Sequence, residues 1–99
     1  MEFLVNASNR KARKLITFML PSLIAQLGLK NSKSVLYVTV EGERDDDNMG
    51  KTVDMGPMGS YVIVLKPMAL PRMALTLAHE MVHVSQMARG MLKSTKSGA

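Results

Sequence analysis

Two histidines and one glutamate in the last third of the chain constrain its fold more than any other feature. His79, Glu80 and His83 form the pattern His-Glu-x-x-His, and the 99 residues contain no other histidine. On an α-helix, residues four apart lie about 40° apart around the axis and one turn along it, so both imidazoles can reach one metal ion. Glu80 then lies beside them, where its carboxylate can accept a proton from a metal-activated water. The pattern predicts a helix that carries a metal site.

The composition around this pattern supports the same interpretation. Glu80 is the only acidic residue after Asp54, and its neighbours are mostly Ala, Leu, Met and Val. A single charge in such an apolar segment needs a partner or a function. The alternative to a metal site is a hydrogen-bonded cluster of polar side chains on a core helix, and the spacing of the two histidines favours the metal site.

A proline and a glycine predict where this helix begins and ends. Pro71 suits a first turn and Gly90 suits a helix end, so the helix is predicted at about residues 71 to 89. One stripe of the helix is apolar and is predicted to pack on a sheet, while the neighbouring face lines a cleft. The stripe contains Ala74, Leu77, Ala78, Met81, Val84 and Ala88, and the neighbouring face contains Leu75, His79, Val82, His83 and Gln86.

A second amphipathic helix is predicted near the start of the chain. Residues 1 to 7 are interpreted as an irregular lead-in, and Ser8 or Asn9 can cap the helix that follows. Pro21 lies inside the helical pattern and is expected to kink or divide it, and Gly28 is a natural stop.

The first turns of this N-terminal helix are basic. They carry Arg10, Lys11, Arg13 and Lys14, and the whole chain has a net charge of +5. These side chains either bind a nucleic acid or form a solvated helix face, and the pattern favours the solvated face. The chain has only two Phe and two Tyr, which argues against the stacking surfaces of RNA-binding modules.

Three segments are predicted to form strands. Residues 34 to 41 and 60 to 66 are rich in β-branched residues, and the second is apolar on both faces, as a central strand should be. Residues 51 to 55 are interpreted as a short strand that ends at the turn Gly56-Pro57-Met58-Gly59. Residues 42 to 50 form a solvated acidic loop, and their spacing does not fit a calcium loop.

Length and composition limit the remaining possibilities. The chain is predicted to be one domain, 1–99, with a flexible tail at residues 93 to 99. There is no Cys, so any metal must be held by imidazole, carboxylate, amide or water, and a cytoplasmic location is favoured. The apolar run of the first helix is too short to cross a bilayer, so no membrane partner is expected.

The order of these elements, together with Leu77-Ala78-His79-Glu80-Met81-Val82-His83-Val84-x-Gln86, resembles the zincin metallopeptidases. Within them the chain is most similar to the SprT-like group, which includes short phage-encoded members. The resemblance implies a Zn²⁺-dependent peptidase with a peptide or protein substrate, His79 and His83 as metal ligands and Glu80 as general base. If the chain is phage-encoded, the resemblance also implies a location in the host cytoplasm. Some relatives act on DNA-bound proteins, so the resemblance further implies an association with DNA.

One departure from the family pattern concerns the third zinc ligand. Zincins supply it from a segment after the motif helix, yet residues 84 to 99 contain no His, Asp or Glu. Gln86 offers a weak amide oxygen and is better suited to a supporting role, Asp54 could reach the site from the sheet, and the Ala99 carboxylate is a remote candidate. The chain is therefore either a truncated part of a longer domain or a reduced homologue with an incomplete site.

Together these features predict an α+β fold, with a small, mostly antiparallel sheet packed against the N-terminal helix and the motif helix. The predicted function is a zinc metallopeptidase-like domain in which an exposed edge strand beside the cleft holds the substrate in extended form. The alternative is a basic nucleic-acid-associated module with a vestigial metal motif, and an interaction domain with a vestigial motif is a third possibility.

Overall fold

The computed structural model describes residues 1–43, 49–56 and 59–90. Within these residues, two helices lie on a four-stranded sheet. The elements in chain order are β1 (Glu2–Asn6), α1 (Arg10–Gln26), β2 (Val35–Val40), β3 (Gly50–Asp54), β4 (Ser60–Leu65) and α2 (Leu70–Ala88).

The sheet is mixed, so the prediction of a mostly antiparallel sheet is wrong. The strand order is β1-β2-β4-β3; β1 and β4 both run parallel to β2, and only β3 is antiparallel to its neighbour β4. In the chain β3 comes before β4, but in the sheet β4 lies between β2 and β3. The central position that was predicted for residues 60 to 66 is confirmed.

Part of the error lies in the parallel pairing of β2 with β4, and part lies at the N-terminus, where residues 2 to 6 form a strand instead of an irregular lead-in. Phe3 pairs with Leu36 and Val5 pairs with Val38, and helix α1 makes the crossover between the two parallel strands. Parallel strands require such a crossover, and their pairing joins residues far apart in sequence. Five residues at a chain end do not reveal that partner by their own pattern.

Helix α1 begins and ends where the sequence predicts. The Oδ1 atom of Asn9 accepts a hydrogen bond from the backbone N–H of Ala12 at 3.1 Å, so Asn9 is the N-cap. The helix continues through Pro21 as a single element, and it is therefore not divided there. Gly28 has a φ of +73°, a left-handed conformation that ends the helix at little cost for glycine.

Helix α2 carries the His-Glu-x-x-His pattern and covers nearly the predicted range. Pro71 lies in its first turn, and Gly90, with a φ of +73°, follows its end. The helix packs against α1, β3 and β4. Both helices lie on the same face of the sheet and enclose one core cluster with Leu36 and Val38 of β2, Ile63 and Leu65 of β4, and Ile16, Leu20, Leu77, Met81 and Val84 of the helices.

The other face of the sheet carries an apolar row that no described helix covers. Leu4, Tyr37, Val62 and Val53 are paired in register across all four strands. Leu4 is 62% exposed and Tyr37 is 38% exposed. The protein is thus a two-layer structure, and its core lies between the sheet and the helices.

Three of the predicted features fall outside the described residues. These are most of the acidic loop, the central part of the turn at residues 56 to 59, and the tail at residues 93 to 99. Among the described helices, none is long and apolar enough to cross a membrane.

Two leucines of α2 provide a test of this packing. Leu77 is fully buried, whereas Leu75 is 73% exposed. We expect Leu77→Ala to lower the free energy of unfolding by about 2–5 kcal/mol, because it leaves a cavity in the core. Leu75→Ala should change it by less than about 0.5 kcal/mol. Urea denaturation followed by circular dichroism measures both, and equal losses in the two variants would contradict the packing of this helix.

Candidate metal centre

The two histidines of α2 point their Nε2 atoms at each other. The Nε2 atom of His83 lies 3.2 Å from the Nε2 atom of His79. The ring centroids are 4.7 Å apart and the ring planes are nearly perpendicular, at 89°. His79 is exposed and His83 is half-buried, so the pair can be approached from solvent. The helical spacing therefore brings the two rings together, as predicted.

This separation suits metal binding. Two nitrogens that bind one tetrahedral zinc ion at about 2.0–2.1 Å lie about 3.3 Å from each other. The observed 3.2 Å between the Nε2 atoms is close to that value. With the carboxylate of Glu80, the pair forms a group whose ligand atoms all lie within 4.8 Å of one another. His79, Glu80 and His83 can thus hold a metal ion.

Glu80 is buried at the interface between α2 and the sheet, with 7% of its surface exposed. Its Oε1 atom accepts a hydrogen bond of 2.6 Å from the Oγ1 atom of Thr52 in β3. The Thr52 hydroxyl also lies 3.3 Å from the backbone oxygen of Glu80. A hydroxyl that donates to a carboxylate at this distance makes a strong, charge-assisted hydrogen bond. Thr52 therefore fixes the position of the Glu80 carboxylate.

Sequence reasoning did not identify Thr52. The signal for it was partial: a single acidic residue in an apolar helix needs a buried partner, and Thr52 is the only hydroxyl-bearing residue of β3. What the sequence lacked was the position of β3 relative to α2. That position depends on tertiary packing.

Close contact between β3 and α2 depends on Gly50, the first residue of the strand. A Cβ atom at this position would lie 3.0 Å from Cγ2 of Thr76 and 3.1 Å from Cδ2 of Leu65. A larger residue would require these two side chains to shift by a few tenths of an ångström. Glycine thus allows β3 to lie near Glu80.

A cleft opens beside the metal-binding group, on the side of the helix that the sequence predicted. It has a volume of about 380 Å³ and is bordered by both β3 and α2. The lining residues are Met49, Gly50, Leu75, Thr76, His79 and Glu80. The polar atoms of the site therefore lie next to an apolar wall, an arrangement typical of ligand pockets.

Of the two further candidate ligands, Asp54 does not join this group, and Gln86 stays a prediction. Asp54 lies two residues beyond Thr52 in β3, but its Oδ1 atom accepts a hydrogen bond of 2.9 Å from the backbone N–H of Gly56. The charge of Asp54 acts on Tyr61 instead. Burial raises the pKa of Tyr61 above its ordinary value, and the charge of Asp54 raises it further. Gln86 is half-buried one turn beyond the histidines. Among the described residues, the metal-binding group consists of His79, Glu80 and His83.

The second ring nitrogen of His83 lacks support in the described part of the chain. Its Nδ1 atom is buried and has no hydrogen-bond partner there. A metal-ligating histidine usually donates its other ring N–H to a carbonyl or carboxylate, which orients the ring. Within the described residues, packing and the contact of Nε2 with His79 hold this ring.

Arg89 links the ends of the two helices. Its Nη2 atom donates a hydrogen bond of 2.6 Å to the backbone oxygen of Leu27, the C-cap of α1. A cationic group at a helix C-terminus is favourable because the carbonyls there carry partial negative charge. Arg89 thus stabilises the C-terminal end of α1 and joins it to the end of α2, a role that sequence reasoning did not identify.

The four basic residues of the first helix lie apart from this group. Arg10, Lys11, Arg13 and Lys14 are all exposed in the first turns of α1, where the helix carries no acidic residue. Cations near a helix N-terminus are unfavourable to the helix dipole. The predicted basic face is therefore present in the structure as a solvent-exposed surface.

Comparisons of the chain with protein-family models, with curated proteins and with solved structures find no match in any of the three. The resemblance to zincins therefore rests on the motif and the order of elements, and it stays a prediction.

The geometry predicts which variants lose a bound metal. We expect His79→Ala and His83→Ala to abolish zinc retention, because one remaining imidazole cannot hold the ion against water. Asp54→Asn is the matched control, since Asp54 lies outside the group, and it should retain as much zinc as wild type. Metal analysis after equilibrium dialysis against a buffer that contains excess zinc measures all of them. Equal zinc content in wild type and both histidine variants would rule out the site.

Proposed function

We propose that this chain is a zinc-dependent peptidase-like domain in which His79 and His83 hold the ion and Glu80 is the general base. The observation that carries the proposal is the 3.2 Å separation of the two Nε2 atoms, with a carboxylate in the same group. A bound zinc ion supplies Lewis-acid chemistry, which lowers the pKa of water and polarises a carbonyl group.

The residues of the chain contribute the remaining parts of the reaction. Glu80 accepts a proton from the attacking water and can return it to the leaving amine, as a general base and acid. Its burial keeps bulk water away from the carboxylate. The cleft between β3 and α2 gives the substrate access to both His79 and Glu80.

An edge strand supplies a binding surface for an extended peptide. β3 lies at one end of the sheet, next to α2, and no described strand pairs with its outer edge. A free edge can form main-chain hydrogen bonds with a peptide that adds itself as a further strand. We therefore assign the substrate-holding edge to β3, since the other edge strand, β1, lies at the far end of the sheet.

The donor set limits the activity that we expect. A catalytic zinc site usually has three protein ligands and one water. The described residues supply two neutral imidazoles and a carboxylate that is bonded to Thr52. We therefore expect weak zinc affinity and slow turnover for residues 1–99. A third ligand supplied from outside the chain should raise both.

The role of Glu80 is tested by Glu80→Gln. The amide has nearly the same shape but cannot take a proton, so turnover should disappear while zinc stays bound. Cleavage of an unfolded protein substrate and zinc content are measured on the same sample, with Asp54→Asn as the control for the loss of a carboxylate elsewhere. Full activity in Glu80→Gln would assign the base to another residue.

The basic face of α1 favours a second candidate function, a nucleic-acid-associated module. Its supporting observation is that Arg10, Lys11, Arg13 and Lys14 are all exposed and that the first turn lacks an acidic residue. Such a cluster binds phosphate groups without reading sequence. This function does not need the metal site, so the two candidates can be tested separately.

The nucleic-acid candidate predicts binding that depends steeply on salt. If all four basic residues contact phosphates, log K should fall with log salt with a slope of about −3.6 for duplex DNA. Replacing the four with Gln should remove most of this binding. The double variant Lys30→Gln and Lys33→Gln removes exposed charge elsewhere and should change it little. Fluorescence anisotropy measures these affinities, and undetectable binding of wild type at low salt would eliminate this candidate.

A further inference from the structure

We propose that Thr52 is a positioning residue that keeps Glu80 from becoming a metal ligand and so preserves it as a base. The inference rests on the proposed metal site, because it concerns what Glu80 does when an ion is bound to the histidines. It assigns a role to a residue of β3 that lies outside the His-Glu-x-x-His pattern.

The contacts of Glu80 supply the first step. Its Oε1 atom is held at 2.6 Å by the Thr52 hydroxyl, and that hydroxyl also lies 3.3 Å from the Glu80 backbone oxygen. Thr52 belongs to a strand that is paired with β4, and it is itself buried. A hydroxyl on a paired strand is a fixed anchor, so the carboxylate is tied to the sheet.

The distances within the group supply the second step. The two histidine nitrogens already have the separation that one tetrahedral ion requires. The Glu80 ligand atom lies within 4.8 Å of them, so the carboxylate must move closer to share an ion with the two nitrogens. Two imidazoles and one carboxylate are a known donor set for zinc. Glu80 is therefore close enough to complete that set.

Charge gives the reason for such a movement. Two neutral imidazoles leave the double positive charge of the ion uncompensated, and an adjacent carboxylate is strongly attracted to it. A carboxylate that binds the ion is a much weaker base, because the positive charge of the ion disfavours its protonation. The hydrogen bond from Thr52 opposes this attraction and keeps Glu80 available as a base.

Thr52→Val tests this role because valine keeps the shape of threonine and removes the hydroxyl. We expect the variant to bind Zn²⁺ about tenfold more tightly than wild type, an effect of the size typical for residues that support metal ligands. The visible spectrum of bound Co²⁺ should also change, since a carboxylate joins its donor set. Any peptidase turnover should fall through kcat, with KM little changed, because the base is lost and the substrate surface is not.

Three further variants separate positioning from general structural damage. Thr52→Ser keeps the hydroxyl and should restore the Zn²⁺ affinity and the Co²⁺ spectrum of wild type. Thr39→Val is the matched control, since Thr39 is also buried in a strand and bonds to Asn6 and Glu41 instead of Glu80. Thr52→Ala replaces the valine variant if circular dichroism shows that valine prevents folding.

A double variant identifies the new ligand. Adding Glu80→Gln to Thr52→Val should cancel the gain in Zn²⁺ affinity, because an amide is a much weaker zinc ligand than a carboxylate. A gain that persists in the double variant would overturn the proposal. Equal affinity and an identical Co²⁺ spectrum in wild type and Thr52→Val would overturn it as well.

These outcomes also distinguish the role of Thr52 from the proposed function. If wild type binds Zn²⁺ but cleaves no peptide, the peptidase assignment fails, and metal affinity still decides the role of Thr52. If wild type and all Thr52 variants bind no Zn²⁺ or Co²⁺, both proposals are overturned. If wild type cleaves peptides and Thr52→Val behaves identically, only the role of Thr52 is wrong.

Discussion

The contact between the Glu80 carboxylate and the Thr52 hydroxyl ties the motif helix to the sheet. A carboxylate is costly to bury without a partner, and 93% of the surface of Glu80 is removed from solvent. The hydrogen bond of 2.6 Å supplies that partner, and it also fixes which turn of α2 lies over β3. With Glu80 directed into the interface, His79 comes to lie on the exposed side of the helix. This polar contact and the core packing of Leu77, Met81 and Val84 together determine how the helix presents its metal-binding face.

The mixed sheet explains why this contact is possible. The three parallel strands are β1, β2 and β4. Helix α1 joins β1 to β2, helix α2 follows β4, and both helices return across the same face of the sheet. The antiparallel strand β3 is added at the outer edge of β4, beneath α2. Groups on helices and paired strands are held more rigidly than groups on loops. The candidate site is built from one helix and one edge strand, and Gly50 allows the two to approach closely.

The site combines a well-formed part with an incomplete one. The histidine nitrogens have the separation that a zinc ion needs, and a carboxylate and a cleft lie beside them. Within the described residues, however, no further His, Asp or Glu joins the group, and Nδ1 of His83 has no hydrogen-bond partner. Such a site favours reversible metal binding over tight retention, because each ligand contributes to affinity and each support orients a ligand. In our proposal, the hydroxyl of Thr52 keeps Glu80 as a base and prevents it from becoming a ligand.

The sequence by itself determined the local features of this protein. Four-residue spacing on a helix brings His79 and His83 together in any tertiary context, and Asn9, Gly28 and Gly90 mark helix ends because their conformational preferences are local. The pairing of β1 with β2, the mixed sheet and the partnership of Thr52 with Glu80 were decided only by the tertiary structure. The two parallel pairings and the contact of Thr52 with Glu80 join residues 33, 25 and 28 positions apart. The periodicity of a short segment contains no information about which distant segment it will meet.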